Sequence, residues 1–281
     1  MLDVLDLPGV ILLDLSDVED EDLLRIKPGR SIAEYCWTLS AALCWHLFAT
    51  RKAIETLTYL DADLMFFSKL EPIFKEIGTA SIAVIEHRFT PQLEGSLAYG
   101  RFNVEWVGFR RTEVGLACLK TWRDQCIAWC FSYFDNGRFG DQKYLDAWPD
   151  LYPDDLHIIQ HIGAGVAPWN YPNYQYSLNG PNINVNNEIL IFYHFHQFQI
   201  LSGGRFDHVS NTYLNGGPVP LLIYHRYESA LNEVFFKIRT LDPCFAGGVR
   251  PVSMIRVRRM VQDFLPAGIK TFLRRIRIQM W

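Results

Sequence analysis

No apolar stretch of this chain approaches the ~20 residues that a helix needs to cross a bilayer, which argues against a helical membrane span. The start, Met1 to Asp6, lacks the basic region and small-residue cleavage site of a secretory signal. Six cysteines are present (Cys36, Cys44, Cys118, Cys126, Cys130 and Cys244), but none of their intervals has zinc-ligand spacing. Cys126 and Cys130, four apart on an expected helix, read as buried free thiols in a reducing, cytoplasmic setting. There is no internal repeat, low-complexity segment or recognisable nucleic-acid module, so nucleic acid is not an expected partner. No single nucleophile stands out. What is present is a 281-residue chain, 49% hydrophobic and 21% charged, a globular composition for one large domain or two small ones.

Charge is unevenly spread. Between Arg250 and Trp281 stand eight basic residues and one acid, net +7, which leaves −11 for the rest of a chain whose total is −4. Ile269, Phe272, Leu273, Ile276 and Met280 share one helical face, with Lys270, Arg274, Arg275 and Arg277 mostly off it. That pattern predicts a basic amphipathic helix lying on an anionic membrane surface through residues 251–281. The alternative is a C-terminal helix docked on the domain with its arginines solvated.

Hydrophobic periodicity gives the coarse element order. Strands are expected at 9–15, 57–60, 81–86, 102–109, 157–160, 189–195 and 218–226. Helices are expected at 31–50, 70–77, 112–133 (capped by Thr112), 141–148 and 228–241. Asp135 to Arg138 reads as a turn, and 161–173 and 177–187 as loops. Alternating strands and helices over the first ~200 residues imply an α/β domain with a mainly parallel sheet.

The strand at 57–60 ends in two carboxylates one residue apart, Asp61 and Asp63. The carboxyl edge of an open α/β sheet is where ligands bind. Two neighbouring acids repel, and a divalent cation relieves them. The simpler alternative is a helix cap after the strand.

Downstream segments decide between these. Asp61-Ala-Asp63, the strand Phe102 to Phe109 with Asn103 and Glu105, Gly140-Asp141-Gln142, and the loop His161 to Asn170 with Pro168-Trp169 occur in that order. Together they resemble the GT-A fold nucleotide-sugar glycosyltransferases, in particular the glycogenin-like and lipopolysaccharide glycosyltransferase group, over residues 10–200. The resemblance implies a Rossmann-like mixed sheet flanked by helices, Mn²⁺ (or Mg²⁺) as cofactor, and a nucleotide-sugar donor, UDP-linked. It implies Asp61, Asp63 and His161 as metal ligands, with Asp61 alternatively holding the ribose. Asp141 and Gln142 are implied at the donor sugar, as hydroxyl binders or stabilisers of positive charge at the anomeric carbon. Asn103, Glu105 and Trp169 are implied in donor binding. Each has a bland alternative: a loop histidine for His161, a helix cap for Asp141, a solvated strand residue for Glu105. His194 and His196 fall on one strand face, with a core or interface pair as the default and the site or acceptor as the other option. Glu86 to Arg88 and Arg30, Glu34 and Trp37 are open between ligand contact and packing.

The sequence departs from the group's pattern at three positions: Ala167 replaces a phosphate-binding lysine, Ala164 a glycine, and Glu105 a glycine. The group also begins with a βα unit ahead of the Asp-x-Asp strand, so the chain is expected to lack its first βα unit. The domain expectation is therefore 1–246 as an N-terminally incomplete transferase domain and 247–281 as the basic tail. The expected function is transfer of a sugar to a cell-surface glycan or lipid-linked acceptor at the cytoplasmic face, on or near the membrane. The alternatives are a degenerate binding or scaffold protein and a nucleotidyltransferase, which also uses paired acids and a metal.

Overall fold

A computed structural model describes residues 8–209, 213 and 218–252. The elements run α1 (Leu15–Val18), α2 (Glu21–Ile26), α3 (Ile32–Thr50), β1 (Thr56–Leu60), β2 (Leu64–Phe66), α4 (Glu71–Ile77), β3 (Ile82–Glu86), β4 (Phe102–Arg110) and α5 (Glu113–Ala128). They continue with α6 (Trp148–Leu151), β5 (Leu156–Ile159), β6 (Tyr176–Asn179), β7 (Asn182–Val185), β8 (Glu188–Ile189) and β9 (Phe192–His194). The last are β10 (Gln199–Leu201), β11 (Arg205–Asp207), α7 (Leu221–Leu241) and β12 (Val249–Arg250). The chain is a mixed α/β protein that divides into two compact units.

The first unit comprises residues 1–60, 77–85 and 99–158. Its sheet has the order β1-β4-β3-β5, with β1 antiparallel to β4 in the register Tyr59↔Val107. β4 is buried over all but its last residue and β3 over all but its last, as central strands must be. Trp106, Trp122, Phe102, Val84 and Leu119 are fully buried. Both long helices are closed by side chains at each end. Ser31 and Glu34 form a capping box on α3, and Thr112 Oγ1 accepts the Gly115 N–H at the start of α5. Arg111 donates to the carbonyls of Phe48, Arg51 and Ile54 where α3 ends. Arg30 does the same for Cys126 and Ile127 at the end of α5 and reaches Cys130. Orphan carbonyls of a helix C-terminus are thereby satisfied.

The second unit comprises residues 61–76, 86–98 and 159–281. It holds three small sheets: β2-β9, β6-β7-β8 and β11-β10-β12. β2 and β9 are antiparallel, with Leu64 opposite His194. Their shared core gathers Val166, Tyr171, Val185, Tyr193, Phe195 and, from α7, Ile223 and Tyr224. The Tyr193 and Tyr224 hydroxyls meet at 2.9 Å, and Phe195 stacks on Tyr227 at 3.7 Å between centroids.

Three sequence expectations are corrected. Residues 10–14 form no strand; Val10, Ile11 and Leu12 are exposed in irregular backbone. The segment 177–187 is not a loop but the β6–β7 hairpin, in which Ile183 and Val185 are buried on one face. The run expected as a strand at 218–226 leads from Pro218 to Pro220 into the first turns of α7, because Ile223, Tyr224 and Tyr227 lie on one helical face and pack inward. A short apolar run carries no period that separates strand from helix. The expected membrane-surface tail lies outside the described residues beyond 252. Among the described residues no helix is long and apolar enough to cross a membrane.

Candidate functional site

Asp63 is the last residue before β2, and its carbonyl accepts the Phe195 N–H at 2.9 Å. This extends the β2–β9 ladder one step and sets Asp63 between His194 and His196. The strand that follows rules out the helix-cap alternative for this aspartate. His194 is buried, with Nε2 2.9 Å from Asp63 Oδ1 and 3.9 Å from Asp61 Oδ2. β9 ends at His194, and Gln197 adopts a left-handed φ of 61°, so the chain turns directly after His196. The two imidazoles stand edge to face, 5.5 Å apart. One ligand atom from each of Asp63, His194 and His196 lies within 4.8 Å of the other two.

Trp169 walls this cluster. Its ring meets His194 edge-on at 5.1 Å and His196 at 5.5 Å. The loop carrying Trp169 is held by Asn170, whose side chain accepts from the Ala167 N–H and donates to the carbonyls of His87 and Gly165. The His194 N–H donates to Val166, which ties the loop to β9. Gly163 is required where it stands, since a Cβ there would lie 1.9 Å from the Ile189 carbonyl oxygen. Arg88 donates to the His161 carbonyl at 3.4 Å and to that of Ala164, so the Glu86–Arg88 turn serves to hold the loop.

Electrostatics favour a charged Asp63. Burial works to raise its pKa, but the hydrogen bond from His194 and the positive charge of His194 and His196 outweigh it and leave the group below its ordinary value. Relieved of the proton, two imidazoles and a carboxylate form a three-ligand set for a divalent cation. Two nitrogens and one oxygen suit Mn²⁺ better than Mg²⁺, which prefers an all-oxygen shell.

The other expected site residues are placed as follows. His161 is outside the three-residue cluster; its Nδ1 accepts the Gly163 N–H and lies 3.1 Å from Glu188 Oε2. Asp61 is beside His194 at the distance already given. In the first unit, Asp141 is buried at the start of a short 3₁₀ turn that its side chain does not cap, and its carbonyl accepts from Trp122 Nε1. Gln142 Nε2 donates to the Tyr99 carbonyl at 3.0 Å. Asn103 Oδ1 accepts the Glu105 N–H at 2.9 Å. Glu105 is fully buried in β4, not a solvated strand residue. The thiols of Cys126 and Cys130 are buried and free, as expected. His194 and His196 are the pair whose default reading was packing. Their two-residue spacing at the end of a strand was the available signal.

No family model matches the chain. Two curated proteins of Bacillus subtilis (strain 168) are similar to it. YfnD, an uncharacterized protein, is 31% identical over 259 residues, 90% of this chain and 82% of the relative. YfnF, also uncharacterized, is 28% identical over 257 residues, 88% of this chain and 83% of the relative. Among solved structures, the chain is similar to a glycosyltransferase involved in the glycosylation of the major capsid of PBCV-1, with a TM-score of 0.39 and 12% identity over 67% of this chain and 75% of that one. It is also similar to mouse xyloside xylosyltransferase 1, apo form, with a TM-score of 0.40 and 15% identity over the same shares. Likenesses of that strength leave the functional argument to the residues of the site.

Proposed function

For this chain, which belongs to the family of the Bacillus subtilis protein YfnD, we propose a metal-dependent glycosyltransferase that moves a sugar from a UDP-linked donor to a cell-surface glycan or lipid-linked acceptor. The observation that carries this is the Asp63–His194–His196 cluster at the end of the Asp-x-Asp turn. Transfer from a nucleotide sugar breaks the bond between the anomeric carbon and a diphosphate. Asp63, His194 and His196 would hold a divalent cation, which would supply Lewis-acid stabilisation of the charge on the departing diphosphate.

The chain's own groups then have separate tasks. Asp63, His194 and His196 hold the cation, and the burial of His194 fixes its ring while Asp63 stays half-exposed to substrate. Asp61 is a further ligand or holds the ribose. Trp169 keeps the two imidazoles in orientation through its edge-on contacts with both rings. His161 we place as an orienting residue of the loop, through Gly163 and Glu188. Asp141 and Gln142 at the donor sugar, and Asn103 and Glu105 in donor binding, follow from the resemblance and are assigned on it. Action at the cytoplasmic face, with 251–281 on an anionic membrane, belongs to the same proposal. So does the division into a 1–246 transferase domain and a 247–281 tail.

The test is calorimetric titration of UDP with and without Mn²⁺. UDP binding that requires Mn²⁺ and disappears in Asp63→Ala is the expected result. UDP that binds Asp63→Ala and the unaltered protein alike would sink the assignment.

A further inference from the structure

α7 carries an apolar seam longer than the core it serves. Tyr224, Tyr227, Leu231, Val234, Ile238 and Leu241 recur at alternating intervals of three and four residues, the spacing by which one helix packs along another. The first two are used within the second unit: Tyr224 is fully buried and Tyr227 packs on the same core. Beyond them the seam comes to the surface. Val234 is 49% and Leu241 48% exposed, while Leu231 and Ile238 are half-buried. Lys237 and Arg239 are offset by Glu233 and Asp242, so this stretch has no net charge. An apolar strip of this length left in water marks an interaction surface.

The chain itself holds a matching strip. Ile269, Leu273, Ile276 and Met280 recur at intervals of four, three and four, with Phe272 beside them. At 1.5 Å per helical residue, Leu231 to Leu241 is about 15 Å long and Ile269 to Met280 about 17 Å. A helix of about 12 residues is marginal alone in water, so this segment needs an apolar surface to form one. Reach is no obstacle. Asp242 to Gly248 lead from α7 to β12, and residues 251–268 then separate β12 from the strip. Extended, that linker spans about 60 Å. A tethered segment meets its site at an effective concentration on the order of mM, which a second copy in dilute solution does not match.

We propose that residues 269–280 dock as a helix along the Leu231–Leu241 seam of α7, apolar face to apolar face, with Lys270, Arg274, Arg275 and Arg277 in solvent. The face used is the one assigned above to the anionic membrane. One face cannot serve both at once, so lipid must compete with α7 for the tail. Docking rests on the two apolar strips alone. The competition rests in addition on the membrane proposal.

The experiment is amide hydrogen exchange, without lipid, on the full chain and on two double variants, Val234→Lys with Leu241→Lys and Leu273→Lys with Ile276→Lys. Val234 and Leu241 are exposed, so their replacement leaves the core of the second unit in place, which unchanged exchange at Tyr193 and Tyr224 checks. In the unaltered protein both 231–241 and 269–280 are expected to exchange slowly. Each double variant is expected to speed exchange in the other segment about tenfold or more, whatever the protein concentration or salt, since apolar contact is not screened. Fast exchange of 269–280 in the unaltered protein, or loss confined to the substituted segment, would overturn docking. Protection of 231–241 that fades on dilution would also overturn it, in favour of a second copy. Phosphatidylglycerol vesicles at low salt then test the competition. Faster exchange at 231–241 while 269–280 stays protected supports it; vesicle binding with 231–241 still protected overturns it. If no vesicles bind and the reciprocal loss holds, the membrane proposal fails and docking stands.

Discussion

Glu34 shows how one side chain can tie distant parts of the first unit together. Its carboxylate accepts the Ser31 N–H at 2.8 Å, and the N–H and hydroxyl of Ser132 at 2.9 and 3.0 Å. Burial works to raise its pKa, and these donors more than offset that, so the group sits below its ordinary value of 4.5. A depressed folded-state pKa means the unfolded chain binds the proton more readily. The stabilisation is therefore complete above about pH 4.5 and is lost as the pH falls through the lower folded value. Glu34→Gln is expected to cost about 2 kcal/mol at neutral pH, as a hydrogen-bonded buried acceptor replaced by a poorer one. It should also flatten the acid limb of a urea-stability profile measured against pH. An unchanged acid limb would show that other carboxylates set it. Sequence reading left Glu34 open between donor binding and packing. Neither its capping role with Ser31 nor its long-range partner Ser132, 98 residues away, was part of that reading.

At the scale of elements, most of the architecture was legible wherever an element carried its own punctuation. Thr112 announces α5, and its cap forms as a hydrogen bond; Ser31 caps α3 in the same way, though the sequence reading did not single it out. β4 was legible as the strand expected at 102–109, polar residues Asn103 and Glu105 included. Among the elements that misled was α7: its first turns read as a strand because the short apolar run Leu221 to Tyr224 fits either period, and only packing against Tyr193 and Phe195 decides. Close approach of elements was likewise hidden. In α5, a Cβ on Gly115 would lie 2.2 Å from the Arg110 carbonyl oxygen and 3.0 Å from that of Ser81. Alanine is favoured over glycine in a helix by about 1 kcal/mol. Forcing α5 away from the β4 end costs about 1–3 kcal/mol by overpacking. The steric term wins, so Gly115→Ala is expected to lower the urea midpoint. A raised midpoint would mean that the helix start yields without cost.

At the scale of the whole molecule, the candidate site residues are divided between the two units in a way the sequence did not disclose. Asp61, Asp63, His161 and Trp169 belong to one, and Asn103, Glu105, Asp141 and Gln142 to the other. The acid pair at a strand end made Asp63 locally conspicuous, and the resemblance carried by the downstream motifs made it a candidate ligand. Sequence reading left His194 and His196 as a packing pair because their partner is 131 residues away in the register of β2 with β9. A cation held only by the second unit makes a prediction about where its effect is felt. Ligand binding stabilises whatever must be folded to bind it, by about 2.7 kcal/mol at a hundredfold excess over Kd. Amide exchange should therefore slow on Mn²⁺ addition in β2, β9 and the loop around Val166, more than in β3 and β4. Trp169 gives an optical counterpart, because its ring lies 5.1 and 5.5 Å from the two imidazoles. Trp37, Trp45, Trp106, Trp122, Trp129 and Trp148 all belong to the other unit. Mn²⁺ should quench a minor part of the tryptophan emission, and Trp169→Phe should abolish that part while the rest persists. Mn²⁺ quenching that survives Trp169→Phe, together with exchange protection centred on β3 and β4, would move the metal to the first unit and remove Asp63, His194 and His196 from the site.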